Sequence, residues 1–181
     1  IFQKDHFPLL LILIGIVLTA LVHSSSTITS LMVVLASIGV LPFNNALFLA
    51  LGSNIGTCIT SIMCSAGTSV NAKRTAIVHL LFNTFGCLLF TVPIWIFSNQ
   101  VTAFFASMSN DVGQQIAIFH TMFNVLTTIV LMPFTKYVVR LACFIIPEGK
   151  NKEQIDEDYK FKFIDDRLLS TPPIAVSNIK R

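Results

Sequence analysis

Apolar residues run almost unbroken through most of this chain, so the informative positions are the polar ones that interrupt them. Residues 7–22 read as an apolar helical segment that stops at His23-Ser24-Ser25-Ser26-Thr27-Ile28-Thr29-Ser30, where six of eight residues carry hydroxyls. The helix is expected to resume over 31–41, up to Gly39 and Pro42, and Phe43-Asn44-Asn45 to form a turn. A short helix over 46–52 then meets a second polar interruption in Gly52-Ser53-Asn54-Ile55-Gly56-Thr57, read as a break over 53–57, and 58–66 forms another short helix closing at Gly67. Residues 68–74 are a polar loop, and 75–98 are long enough to cross a bilayer, with Pro93 bending the final turns. Residues 99–113 read as an amphipathic surface segment, and 114–146 as a last long helix kinked at Pro133.

Composition fixes the class. Apolar residues make up 54% of the chain and charged residues 12%, and no Asp, Glu, Lys or Arg occurs in the 67 residues between Asp5 and Lys73. The expected fold is an all-α membrane protein, a helical bundle with interrupted helices or re-entrant hairpins, because a hydrocarbon core of about 30 Å requires about 20 apolar residues per crossing. Residues 7–22 are not a secretory signal, since one lysine precedes them and hydroxyls follow instead of a small-residue cleavage site. The chain begins at Ile1 without a methionine and is expected to be a piece of something longer.

Charge divides it further. Seven charged residues lie in 1–147 and fourteen in the last 34, which sets a boundary near Pro147-Glu148-Gly149, with 148–160 as a charged linker and 161–181 as the start of another domain. Lys73 and Arg74 come just before one crossing, and Lys136, Arg140, Lys150 and Lys152 come near the end of the next, so the positive-inside rule places those ends and the tail in the cytoplasm. The basic residues are scattered, giving no nucleic-acid surface. Cys58, Cys64, Cys87 and Cys143 lack metal-ligand spacing and read as buried small side chains. No catalytic constellation or nucleotide-binding loop is present in the sequence, so no enzyme is expected.

Hydroxyls at membrane depth must be satisfied internally or line a cavity. An interrupted helix turns carbonyls of one half and amides of the next toward the gap, so one locus offers both a cation site and an anion site. Ser24, Ser25 and Ser26 suit N-caps, sodium ligands or donors to an oxyanion; Thr27, Thr29, Ser53, Asn54 and Thr57 add further polar groups, and Gly52 and Gly56 loosen the backbone. Back-bonding of the hydroxyls to their own helix is the competing reading. With no Lys or Arg in the run, an anion's charge would be compensated by helix amides and a co-bound cation, each improving the other's affinity.

The two long helices echo one another. Ala76-Ile77-Val78-His79-Leu80-Leu81-Phe82-Asn83 is repeated, displaced by 41 residues, as Ala117-Ile118-Phe119-His120-Thr121-Met122-Phe123-Asn124. His79 with Asn83, and His120 with Asn124, each project from one helical face that must look inward, as interhelical hydrogen bonding or as the lining of a polar cavity.

His23-Ser-Ser-Ser resembles the QSSS signature of the type II sodium/phosphate cotransporter family, and Gly52-Ser-Asn-Ile-Gly-Thr57 resembles its GANIGT motif. The stretch Ala76 to Asn83 resembles the helix that follows in the same order, and Asp165 to Ala175 the opening of the PhoU-like domain of bacterial members. The resemblance covers roughly residues 10–135. It implies sodium-coupled transport of inorganic phosphate across the plasma membrane, with Na+ as the co-transported ion, by two related repeats of which this chain supplies one, the second half of the pair. The other would come from upstream or from a second copy of the chain, with membrane lipid around both. It also suggests Ser24, Ser25 and Asn54 as sodium ligands. The family glutamine is His23 here, and imidazole has no carbonyl oxygen to offer sodium. Transport of another oxyanion or a carboxylate, or a membrane anchor for phosphate signalling, are the alternatives.

Overall fold

A computed structural model describes residues 8–147. The readings made on Ile1 to Phe7 and on 148–181, including the linker and the PhoU-like segment, lie outside the described residues. Among the described residues the secondary structure is entirely helical: α1 (Pro8–Val22), α2 (Ser25–Ser37), α3 (Phe43–Ser65), α4 (Val70–Ile96), α5 (Ser98–Met108), α6 (Val112–Leu131), a 3-10 turn (Met132–Phe134) and α7 (Thr135–Ile145).

Local side-chain caps fix three of the helix starts. Ser24 is extended and its side chain accepts a hydrogen bond from Thr27 N, so the helix restarts at Ser25. The expected restart at 31 is thereby corrected: only His23 and Ser24 leave the helix, and most of the hydroxyl run belongs to the first turns of α2. Ser69 caps α4 in the same way through Ala72 N, drawing its start back from 75 to 70. Asp111 accepts from Gly113 N and Gln114 N and starts α6. Pro93 sits inside α4 without ending it, whereas Pro133 falls in the 3-10 turn that separates α6 from α7.

The expected second break is absent. α3 runs unbroken from Phe43 to Ser65 through 53–57. Its polar residues are satisfied along the helix, Asn54 Nδ2 donating to Ala50 O at 3.1 Å and Thr57 Oγ1 to Ser53 O at 3.0 Å. Its glycines serve packing instead of interruption. A Cβ on Gly52 would lie 2.0 Å from Ile12 O, one on Gly56 2.6 Å from Ile16 O, and one on Gly15 of α1 2.3 Å from Leu49 O. Small residues spaced by four let two helix backbones approach closely.

The chain path follows from the paired residues. Ile12 lies against Gly52, Ile16 against Gly56 and His23 against Thr60, so α1 and α3 run parallel. α2 and residues 38–42 must therefore return the chain to the end where α1 began, making α1 and α2 a hairpin with its tip at His23-Ser24. At 1.5 Å per residue the two arms are about 22 and 20 Å long, short of the roughly 30 Å hydrocarbon thickness. α3, α4 and the α6 to α7 stretch are each long and apolar enough to cross.

α4 runs back along α3, with His79 near Ser61 and Asn83 near Cys58. α5 closes the opposite end, where Thr102 Oγ1 donates to Asn44 Oδ1 at 2.7 Å and Phe105 packs on Phe43. α6 begins beside the end of α2, Gly113 facing Val33, and climbs past α4, where Gly86 accommodates Thr127. Arg74 Nε donates to Ile146 O at 3.0 Å, so the start of α4 and the end of α7 share one end of the bundle. The core centres on α3, whose residues Ala46 to Asn54 are all buried, together with Leu11, Met32, Phe119 and Phe123. Many large apolar side chains, among them Leu9, Leu21, Trp95, Ile129 and Phe144, point outward, as expected where hydrocarbon is the solvent. All four cysteines are free; Cys58 and Cys87 are buried, Cys143 is half-buried, and Cys64 is exposed, which corrects its reading as buried.

Candidate functional site

The hairpin tip is the one conformationally unusual point among the described non-glycine residues, since His23 has φ +56°. That left-handed conformation is uncommon for a side chain with a Cβ and needs support from its surroundings. Part of the support comes from α3: His23 Nδ1 lies 3.3 Å from Thr60 Oγ1. Ser24 Oγ gathers the tip by accepting from Thr27 Oγ1 at 2.9 Å and from Thr27 N at 3.3 Å, and it lies 3.1 Å from Ser26 Oγ. Ser24 and Ser25 are half-buried, and Ser26, Thr27 and Ser30 are exposed on this chain. Thr29 Oγ1 is buried without a hydrogen-bond partner.

A second polar group lies deeper. Thr19, fully buried in α1, donates to Ser53 Oγ at 2.8 Å. One residue on, Asn54 Oδ1 lies 3.2 Å from His120 Nε2 of α6. Two turns further along α3, Ser61 Oγ lies 3.1 Å from His79 Nδ1 of α4. Three imidazoles, from the hairpin tip, α4 and α6, thus meet α3 between Asn54 and Ser61. The sequence echo survives in detail: Asn83 Nδ2 donates to His79 O at 3.0 Å and Asn124 Nδ2 to His120 O at 2.8 Å. The two copies differ in setting, because Asn83 is buried and also reaches Cys58 Sγ at 3.4 Å, whereas Asn124 is exposed.

The suggested sodium set divides between the two groups. Ser24 bonds within the tip, and the tip meets α3 at Thr60, about 9 Å along the helix from Asn54 at 1.5 Å per residue. Asn54 bonds to Ala50 O and His120. Gly52 and Gly56 belong to the α1 contact. Thr19, Thr60 and Ser61 are the polar residues of this seam that sequence reading passed over. Thr19 is the lone hydroxyl in α1, four residues before His23, and the Gly52-x-x-x-Gly56 spacing is itself a helix-packing signal. A cavity of about 240 Å³ lies near the ends of α3, α4 and α7, lined by Ile62, Lys73, Ile77 and Ile146 among others, and no candidate ligand residue lines it.

A capped helix break held against an unbroken, hydroxyl-bearing helix, within a bundle that includes three membrane-length helices, marks an all-α membrane protein. The comparison with known families makes this specific: Na+/Pi-cotransporter matches residues 5–131. The chain belongs to that family. Among curated relatives, "Uncharacterized protein YqeW" of Bacillus subtilis (strain 168) is 39% identical over 136 residues, 75% of this chain and 43% of the relative. "Putative inorganic phosphate export protein YjbB" of Escherichia coli (strain K12) is 27% identical over 169 residues, 93% of this chain and 30% of the relative. The human "Sodium-dependent phosphate transport protein 2B" is 43% identical over 84 residues, 44% of this chain and 12% of the relative. The chain therefore spans less than half the length of these relatives. No solved structure matches.

Proposed function

We propose that this chain is one repeat of a sodium-coupled carrier of inorganic phosphate in the cell membrane, with the phosphate bound at the start of α2. The observation that carries the reading is the capped break at His23-Ser24, in a chain of the Na+/Pi-cotransporter family. The α2 N-terminus presents backbone N–H groups and the positive end of its dipole, and Ser25 and Ser26 add hydroxyl donors at the same turn. Thr27 and Thr29 extend the polar lining, and Ser53, Asn54 and Thr57 supply oxygens on α3.

Sodium provides the countercharge that the chain withholds. The charged residues among 8–147 are Lys73, Arg74, Asp111, Lys136 and Arg140, and none lies on α1, α2 or α3. Ser24 and Ser25 at the tip, and Asn54 deeper along α3, are proposed as two separate groups of oxygen donors for it, and mutual stabilisation of anion and cation gives coupling its physical basis. His23 departs from the family glutamine, and the ring that lies against Thr60 positions the tip instead of ligating sodium. His79, Asn83, His120 and Asn124 support the seam. The exposed hydroxyls of Ser26, Thr27 and Ser30 call for cover at membrane depth, which the related repeat, upstream or in a second copy, would provide. Lys73, Arg74, Lys136 and Arg140 face the cytoplasm in this reading, as does the tail with its PhoU-like start.

Uptake of radiolabelled phosphate into proteoliposomes holding the full-length protein tests the proposal. Uptake that requires an inward sodium gradient and falls at least tenfold in Ser25→Ala supports it. Uptake insensitive to replacement of sodium by choline removes the coupling, and transport of another anion in preference to phosphate reassigns the substrate.

A further inference from the structure

Asn54 is 8% exposed, and its amide makes two hydrogen bonds that between them leave no freedom of assignment. Ala50 O can only accept, so the group facing it at 3.1 Å must be the NH2. Oδ1 is then the atom facing His120, and because that oxygen also only accepts, His120 Nε2 carries the hydrogen across 3.2 Å. Turning the amide by 180° would set Oδ1 against the Ala50 carbonyl and the NH2 against the Nε2–H, an acceptor pair and a donor pair at once. His120 comes from α6 and Ala50 from α3 itself, so the lock on Asn54 is tertiary. In the other copy of the motif, His79 reaches Ser61 and Asn83 reaches Cys58, so no equivalent lock forms.

We propose that His120 is the positioning residue of Asn54: it occupies one lone pair of Oδ1 through Nε2–H and leaves the other as a single, oriented donor for sodium. The inference rests on the sodium-coupled reading given above. An amide oxygen has two acceptor lone pairs, so the imidazole orients the ligand without consuming it. In His120→Leu the amide loses its tertiary partner and the donor pair that opposed the flipped orientation, with NH2 toward the cation, disappears. His120 itself touches neither ion.

Phosphate uptake by the full-length protein in proteoliposomes, measured against sodium concentration, provides the test. His120→Leu is expected to raise the half-saturating sodium concentration about 3–10-fold, the effect of one hydrogen bond, with the maximal rate little changed. His120→Gln, whose NH2 can donate to Oδ1, is expected to stay within about twofold of the parent, and His120→Leu is expected to add nothing in an Asn54→Ala background. An unchanged sodium dependence in His120→Leu, an equal loss in His120→Gln, or additive effects with Asn54→Ala would overturn the proposal. The unmodified protein offers an independent check: ¹⁵N-histidine NMR, with His120 identified by its loss in His120→Gln, is expected to show a hydrogen on Nε2, and the Nδ1–H tautomer with bare Nε2 overturns the inference. Failure of the underlying reading appears elsewhere, as absence of sodium dependence in the parent protein itself.

Discussion

At the residue scale, glycines do two different things in this chain, and substitution separates them. Gly52 is an ordinary helical residue whose missing side chain admits the Ile12 carbonyl, so any Cβ must displace backbone. Gly67 has φ +78° and open space around it, so its need is for a left-handed conformation alone. Gly52→Ala is expected to lower stability by about 1–3 kcal/mol, the usual cost of overpacking. Gly67→Asn is expected to be close to neutral, since asparagine tolerates that conformation. Thermal unfolding of the full-length protein in detergent checks both, and equal effects at the two sites would show that close α1 to α3 packing is not what Gly52 serves. His23 is a third case: it takes a left-handed φ without being glycine, and its ring lies against Thr60.

At the element scale, the α1 to α2 hairpin is one part of the fold where a single side chain fixes a boundary. Ser24 accepts from both the N–H and the hydroxyl of Thr27, and both bonds vanish in Ser24→Ala. Loss of such a cap costs about 1 kcal/mol, roughly fivefold in local opening. Amide hydrogen exchange over Ser25 to Ile28 is expected to accelerate by about that factor, with exchange in the middle of α3 unchanged. Ser24→Asp, which keeps an acceptor, is expected to restore protection. Acceleration spread evenly over all helices would mean that the hairpin does not open by itself. α3 shows the converse, an element whose polar residues look like an interruption and are instead bonded along the helix or to α1 and α6.

At the scale of the whole molecule, the bundle has two chemically different ends. One gathers Thr68, Lys73, Arg74 and the start and end of α4 and α7; the other gathers Asn44, α5 and the Ser109 to Asp111 turn. With the cationic end in the cytoplasm, Thr68→Cys is expected to react with a membrane-impermeant maleimide only in inside-out vesicles, and Ser107→Cys only in intact spheroplasts, in a full-length background lacking the native cysteines. Both positions are exposed. Labelling of both from one side would overturn the three-crossing path, and a reversed pattern would overturn the orientation.

The sequence by itself determined the class and much of the layout: an all-helical membrane protein, a stop at the hydroxyl run, a kink at Pro133, and the His and Asn echo of the two long helices. These are legible because hydropathy, proline and capping act over a few residues. It also carried the family motifs. Only the tertiary structure decided that Gly52 to Thr57 is continuous helix, because two glycines at four-residue spacing with an asparagine between them read alike as a break or as a packing face until the partner is known. The partner is α1, 34 to 40 residues away along the chain, where Ile12 and Ile16 fill the space and Thr19 meets Ser53. The same holds for His120 and Asn54, 66 residues apart, whose pairing no local spacing announces. Local rules wrote the elements, and close approach between distant backbones decided which polar residues meet.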